Sequence, residues 1–188
     1  MDNPAWFSTF FLLLVVGMFG FAPFLQSFSC PKILDLIFSI LTGATLFSVG
    51  IFFIRGRNAS QITRFFVDAF STLRFSLTHL WIFVGAYIEE MVWRVYIQTT
   101  ITFRWGWVGI PLSALFFFFI HPIAMRPTEY KKAGELLFFS LVLSYAWSLT
   151  NNVWIVTVIH YVRNALILGL ILAESEKPNR DDPERSSC

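Results

Sequence analysis

Glu89 and Glu90 stand side by side in Ile88-Glu89-Glu90-Met91-Val92-Trp93-Arg94, inside an otherwise apolar segment of helical length. Arg94 follows Glu90 by four residues, acid first, the favourable order for an ion pair along one helix face. Charged side chains in a lipid-embedded segment cost roughly 2.5–3.5 kcal/mol each on insertion, so those present face a bundle interior or a wet cavity. With Glu90 taken by Arg94, Glu89 has no cation in its own helix and is a candidate to accept or give a proton. Three more polar side chains lie within other apolar segments. His121 directly precedes Pro122, where a helix kinks or ends and water can enter. His160 and Asn164 are four residues apart, so they share a helix face, and both can donate hydrogen bonds. Each alone reads as a satisfied polar group or as glue between helices. Together with an unpaired Glu89 they suggest acid–base chemistry inside a membrane, because a small bundle has little structural need for all of them.

These residues need helices to carry them, and the composition supplies helices of membrane type. Of 188 residues, 56% are hydrophobic and 14% are charged, against about 25% charged in ordinary globular chains. The 23 Phe and 7 Trp exceed what a soluble core of this size can cover. The expected fold is all-α: a polytopic bundle of about six transmembrane helices plus an interfacial amphipathic helix. The spans are read at about Ala5–Phe24, Ile33–Ile54, Leu77–Ile101, Trp107–Met125, Glu135–Leu149 and Val153–Ala173. Between the second and third, Ala59 to Arg74 places Ile62, Phe65, Phe66, Ala69 and Leu73 at helical spacing, with polar residues elsewhere on the wheel. Residues 1–173 are read as one transmembrane domain and 174–188 as a charged, mobile cytoplasmic tail. The N-terminal run does not read as a cleaved signal, since Asp2 stands where a basic region belongs and the apolar run is too long.

Charge distribution orients the bundle. With six spans, Arg55, Arg57, Arg64, Arg74, Arg126, Lys131, Lys132, Lys177, Arg180 and Arg185 share a side with both termini, and Lys32 and Arg104 lie opposite. Positive residues favour the cytoplasm, so both termini are expected there. A net charge of +2 gives no reason to expect a nucleic-acid partner. The lipid bilayer itself is the expected partner of the apolar surface. Cys30 and Cys188 have no metal-ligand spacing and carry no assigned role. His79 reads as an interfacial polar residue, and Trp93 and Phe116–Phe119 as packing and lipid-facing surface.

Glu89-Glu90-x-x-x-Arg94, then Phe117-x-x-x-His121, then His160-x-x-x-Asn164 resembles the three signature motifs of the CPBP intramembrane proteases, the CAAX-protease and bacteriocin-processing (Abi) family. Order, spacing and placement in separate apolar segments agree, over about Leu77 to Ala173. The resemblance implies a glutamate-dependent endopeptidase acting on a membrane-associated or lipid-anchored peptide or protein. It implies that Glu89, assisted by His121, activates a water, that His160 and Asn164 stabilise the oxyanion, and that Glu90 and Arg94 support the site. It implies no cofactor. A zinc-dependent version would use Glu89, His121 and His160 as ligands, although no HExxH is present. The non-enzyme alternative is a scaffold, immunity or maturation factor of the same fold, and a proton relay is a lesser one. A prokaryotic inner membrane is the expected location.

Overall fold

The structure is a computed structural model and describes residues 27–55, 59–71, 77–122 and 126–175. The expected first span and the tail beyond Ser175 lie outside these residues. All regular structure among the described residues is helical. In chain order, α1 is Ile33–Arg55, α2 Ala59–Ser71, α3 Leu77–Glu90 and α4 Thr99–Trp105, with an eight-residue π-helix, Met91–Gln98, joining α3 to α4. Then come α5 Gly109–Phe119, α6 Tyr130–Thr150 and α7 Val153–Ser175.

Among the described residues, four helical runs are long and apolar enough to cross a membrane: Ile33–Ile54, Leu77–Phe119, Tyr130–Thr150 and Val153–Ser175. The second, of 43 residues, is not straight. Trp93 and Phe117 lie 5.8 Å apart, centroid to centroid. In a straight helix those positions would be separated by about 36 Å. The chain reverses at Gly106, whose φ of +61° suits a residue without Cβ. Close packing follows at once, since a Cβ on Gly109 would stand 2.6 Å from the backbone N of Thr102. The third and fourth expected spans are therefore limbs of one hairpin.

Several expected boundaries are corrected. The outgoing limb stays helical to Trp105, past the expected Ile101. The returning helix stops at Phe119, not Met125, because Pro122 cannot continue it. Its 11 residues reach only about 16 Å, roughly half a bilayer core. The fifth span begins at Tyr130 rather than Glu135, as Lys131, Lys132 and Ala133 favour helix and outweigh Gly134. Its start is ion-paired: Lys132 and Arg126 both reach Glu129, at 3.1 and 3.4 Å, and the Lys132 hydrogen bond holds the Glu129 carboxyl below the usual range. The helix ends at Asn151 in left-handed geometry, and the Asn152 side chain then caps α7 by accepting from the Trp154 N–H at 3.0 Å. A link this short makes α6 and α7 antiparallel neighbours.

The core lies where the π-helix, α6 and α7 meet, with Met91, Val95, Tyr96, Leu143, Trp147, Val156 and Ile159 buried together. Outward faces are apolar and bare, with Phe103 90% exposed beside Trp105 and Trp107 at the Gly106 turn. Lipid, not water, suits such a surface, with aromatic rings at its edge. The amphipathic helix α2 turns Phe65, Phe66 and Ala69 onto Phe47, Leu166 and Leu170, so the face read as interfacial is in large part a packing face. His79 is also corrected: it is buried, with Nδ1 3.4 Å from the Tyr161 hydroxyl, because α3 and α7 pack directly there.

Gly169 permits α2 to lie flush on α7, where a Cβ would come 2.3 Å from the Ala69 carbonyl oxygen. Gly169→Ala should destabilise the folded protein by about 1–3 kcal/mol through overpacking. Gly134→Ala, with open space around it, should be neutral or stabilising by up to about 1 kcal/mol. Denaturant unfolding in detergent, followed by circular dichroism, compares the two.

Candidate active site

The sequence Met91 to Tyr96 is buried at every position. A run of six consecutive residues passes more than once around a helix, so this segment is enclosed on all sides. Arg94 is fully buried within it and must find partners for its guanidinium there. Its Nε donates to Glu90 Oε2 at 3.1 Å and its Nη1 to Ser144 Oγ at 2.8 Å. Its Nη2 reaches Ser140 Oγ at 3.3 Å, and the ring of Phe117 lies 5.2 Å away. Ser140 and Ser144 are four apart on α6, one turn of a single face.

Glu90 uses its second oxygen on another helix. His160 Nδ1 lies 2.7 Å from Glu90 Oε1. The carboxylate, ion-paired to Arg94, only accepts, so Nδ1 carries the proton and donates. His160 Nε2, the other ring nitrogen, faces Glu89 Oε2 at 3.9 Å. The His160 side chain is 5% exposed and stands edge-on to Phe139, whereas Glu89 keeps 28% exposure. Two adjacent glutamates thus have different surroundings: Glu90 is enclosed and doubly engaged, and Glu89 borders an accessible space with an imidazole opposite.

Asn164, one turn beyond His160, accepts at Oδ1 from Arg163 Nη1 at 2.8 Å. An arginine N–H cannot point at an amide N–H, so this bond fixes which way the amide is turned. The Asn164 Nδ2 donors have no partner among the described residues. Arg163 is itself held by Glu135, through Nε to Oε1 at 2.9 Å and Nη2 to Oε1 at 2.7 Å.

His121 makes no hydrogen bond to this cluster. Its Nδ1 is 2.7 Å from the Phe117 carbonyl, which only accepts, so Nδ1–H donates and Nε2 is left as an acceptor. No hydrogen bond joins it to Glu89. His121 instead lines a pocket of about 570 Å³ whose wall includes Phe47, Ile51, Glu135, Arg163 and Leu170. The structure therefore brings together Glu89, Glu90, Arg94 and His160, sets Asn164 one turn along, and places His121 on a pocket that Glu135 and Arg163 also line. Among the described residues no three His, Cys, Asp or Glu side chains are grouped as metal ligands would be. Glu89, His121 and His160, the expected zinc set, are not so grouped.

Sequence reasoning passed over Ser140, Ser144 and Glu135. The signal for Glu135 was available: Arg163 lies inside a span, and a buried cation needs an acid. The serines showed only as two small polar residues at helical spacing in an apolar helix.

A family model described as Rce1-like, type II CAAX prenyl endopeptidase Rce1-like, matches residues 71–166, a stretch that carries Glu89 through Asn164. No curated protein and no solved structure matches the chain.

Removing Arg94 would leave Glu90 buried beside His160 with no fixed cation. Arg94→Met should destabilise the protein by about 3–5 kcal/mol, the usual result of breaking one side of a buried pair. Arg104→Met, at an exposed position, should change it by no more than about 0.5 kcal/mol. Equilibrium unfolding of both variants in one detergent tests this.

Proposed function

The chain belongs to the Rce1-like family of type II CAAX prenyl endopeptidases, and from that premise we propose that it is an intramembrane endopeptidase which cuts a membrane-associated or lipid-anchored protein with a water activated by Glu89. The observation that carries this reading is the Glu89 carboxylate facing the free nitrogen of His160 across 3.9 Å. That gap is too wide for a direct hydrogen bond and suits one bridging water.

A water held there gives one O–H to Glu89 and the other to His160 Nε2, and turns a lone pair to the scissile carbonyl. Glu89 takes the proton as the C–O bond forms and returns it to the amine nitrogen as the C–N bond breaks. The products are a carboxylic acid and an amine, with no covalent enzyme intermediate. Such base assistance contributes about 10²–10⁴ in rate. The unpartnered Asn164 amide N–H donates to the oxyanion, a contribution of about 2.7–4 kcal/mol per donor. His160 Nε2 keeps the second O–H of the water throughout, so the oxyanion donor in this step is Asn164. Glu90 fixes the imidazole tautomer, and Arg94 holds the other oxygen of Glu90.

His121 acts in this reading from the pocket side, its Nε2 accepting a hydrogen bond from the incoming peptide. The resemblance gave it a share of the water; it makes no hydrogen bond to Glu89, and its place on the pocket wall supports the other duty. A carbonyl inside a helix is already hydrogen-bonded, so the peptide must be extended where it is cut. The mechanism uses no metal. Residues 1–173 form the catalytic domain in this proposal, with both termini and the pocket mouth at the cytoplasmic face.

A farnesylated peptide ending in a CaaX sequence, offered to the purified protein in liposomes, tests the reading. The native chain should release the C-terminal fragment at a rate EDTA does not change. Glu89→Gln should lower kcat by at least about 10²-fold with an unchanged unfolding transition. Full activity in purified Glu89→Gln would sink the proposal. A cellular phenotype that survives Glu89→Gln would move the chain to the scaffold reading.

A further inference from the structure

Asn164 follows Arg163 directly, and side chains of adjacent helical residues diverge by about 100° around the axis. A hydrogen bond between them requires the arginine fork to be turned aside and held. Residues on two helices, α6 and α1, contribute to this. Glu135 on α6 takes Nε and Nη2 in a forked ion pair. Phe139, one turn further along α6, lies under the guanidinium at 4.3 Å. On α1, Gly50 presents bare backbone to Glu135, where a Cβ would come 3.0 Å from the carboxylate oxygen. Arg163 and Glu135 are both about nine-tenths buried, at 9% and 7% exposure. With Nε and Nη2 committed to Glu135, Nη1 is left to meet Asn164 Oδ1 at 2.8 Å.

We propose that Arg163, fixed by Glu135, is the positioning residue for Asn164: it holds the amide oxygen and so presents the amide N–H groups to the reacting carbonyl. The proposal rests on the protease reading above, in which Asn164 donates to the oxyanion. Its physical content is the direction of one amide. Without the Arg163 donor, Asn164 can turn its oxygen toward the site, and an acceptor there repels an oxyanion. Lysine is no substitute, because a single ammonium lacks the planar fork that bridges Glu135 and Asn164 together.

The test is a double-mutant cycle on the farnesylated CaaX peptide in liposomes. Asn164→Ala should lower kcat by about 10²–10³-fold. Arg163→Lys should lower kcat by up to about 10²-fold, with KM changed little, since misplacement of a catalytic group by about 1 Å has that effect. In the Asn164→Ala background Arg163→Lys should have no further effect on kcat. Glu135→Gln, which keeps shape and loses charge, runs the same cycle should Arg163→Lys fail to fold. In protein labelled with ¹⁵N at asparagine, either variant should move the side-chain amide signals of Asn164 and leave those of Asn152 in place. Multiplying effects in the double variant, or full kcat in Arg163→Lys and Glu135→Gln, overturns the positioning role while Asn164 stays catalytic. Full kcat in Asn164→Ala overturns the donor role of Asn164 and this proposal together. Lack of turnover by the native chain removes the protease reading and with it this role.

Discussion

A guanidinium without water is the constraint around which this bundle is arranged. Arg94 sits fully buried in the most enclosed segment of the chain, and a lone cation there would be untenable by many kcal/mol. The fold answers with donors spent on three separate places: Glu90 one turn back, and Ser144 and Ser140 on α6. Those contacts dictate how α6 lies against the π-helix. They also hold the Glu90 carboxylate in place as an acceptor, which in turn orients His160 on α7. The orientation of the imidazole is thus a consequence of where the arginine is buried. Pairs of this kind add little net stability compared with apolar packing, and their better-attested role is to specify one arrangement among several. Here the arrangement specified is the mutual placement of α6, α7 and the hairpin.

The hairpin matters for depth. A returning helix of 11 residues ends well inside the thickness of a bilayer core, and the end is marked by His121 and Pro122. Polar backbone at that depth is tolerated only where protein or a water-filled cavity covers it. The pocket beside His121 fits that requirement, with Glu135 and Arg163 in its otherwise apolar wall. The π-helix has a related role. It begins directly after Glu90, and π segments inside helices occur frequently at functional sites.

What could be read from the sequence divides along a physical line. Interactions within one helix were legible, since spacing alone sets them: Glu90 with Arg94, His160 with Asn164 on one face, and the amphipathic pattern of α2. The helices of the second and last spans were also legible, because uninterrupted apolar length is a strong signal. Contacts between helices were not. Nothing in the order of residues says that Glu90 serves His160 seventy positions away, or that Glu135, which reads as the first residue of a span, belongs to Arg163. His79 was misread for the same reason, since its burial depends on Tyr161 from α7. Boundaries failed where polarity and helix propensity disagree, as from Tyr130 to Gly134, and where a proline ends a helix that apolar composition would extend.

Glu89 and Glu90 show why a pair of identical residues need not share a task. In sequence they are equivalent, and in isolation either carboxylate could pair with Arg94. Helical geometry breaks the equivalence first, because only Glu90 is four residues from the arginine. Burial then widens the difference. Both Glu90 oxygens are committed, one to a cation and one to an imidazole N–H, so it has no oxygen free of a strong donor to take a proton from water. Glu89 has no such commitment, keeps partial exposure, and looks across a water-sized gap at an acceptor nitrogen that Glu90 has oriented. A general base has to be reachable and uncommitted, and a supporting carboxylate has to be neither. Exchanging the two glutamates by turning the helix about 100° would leave each without its surroundings, so the register of α3 on α7 is itself part of the chemistry.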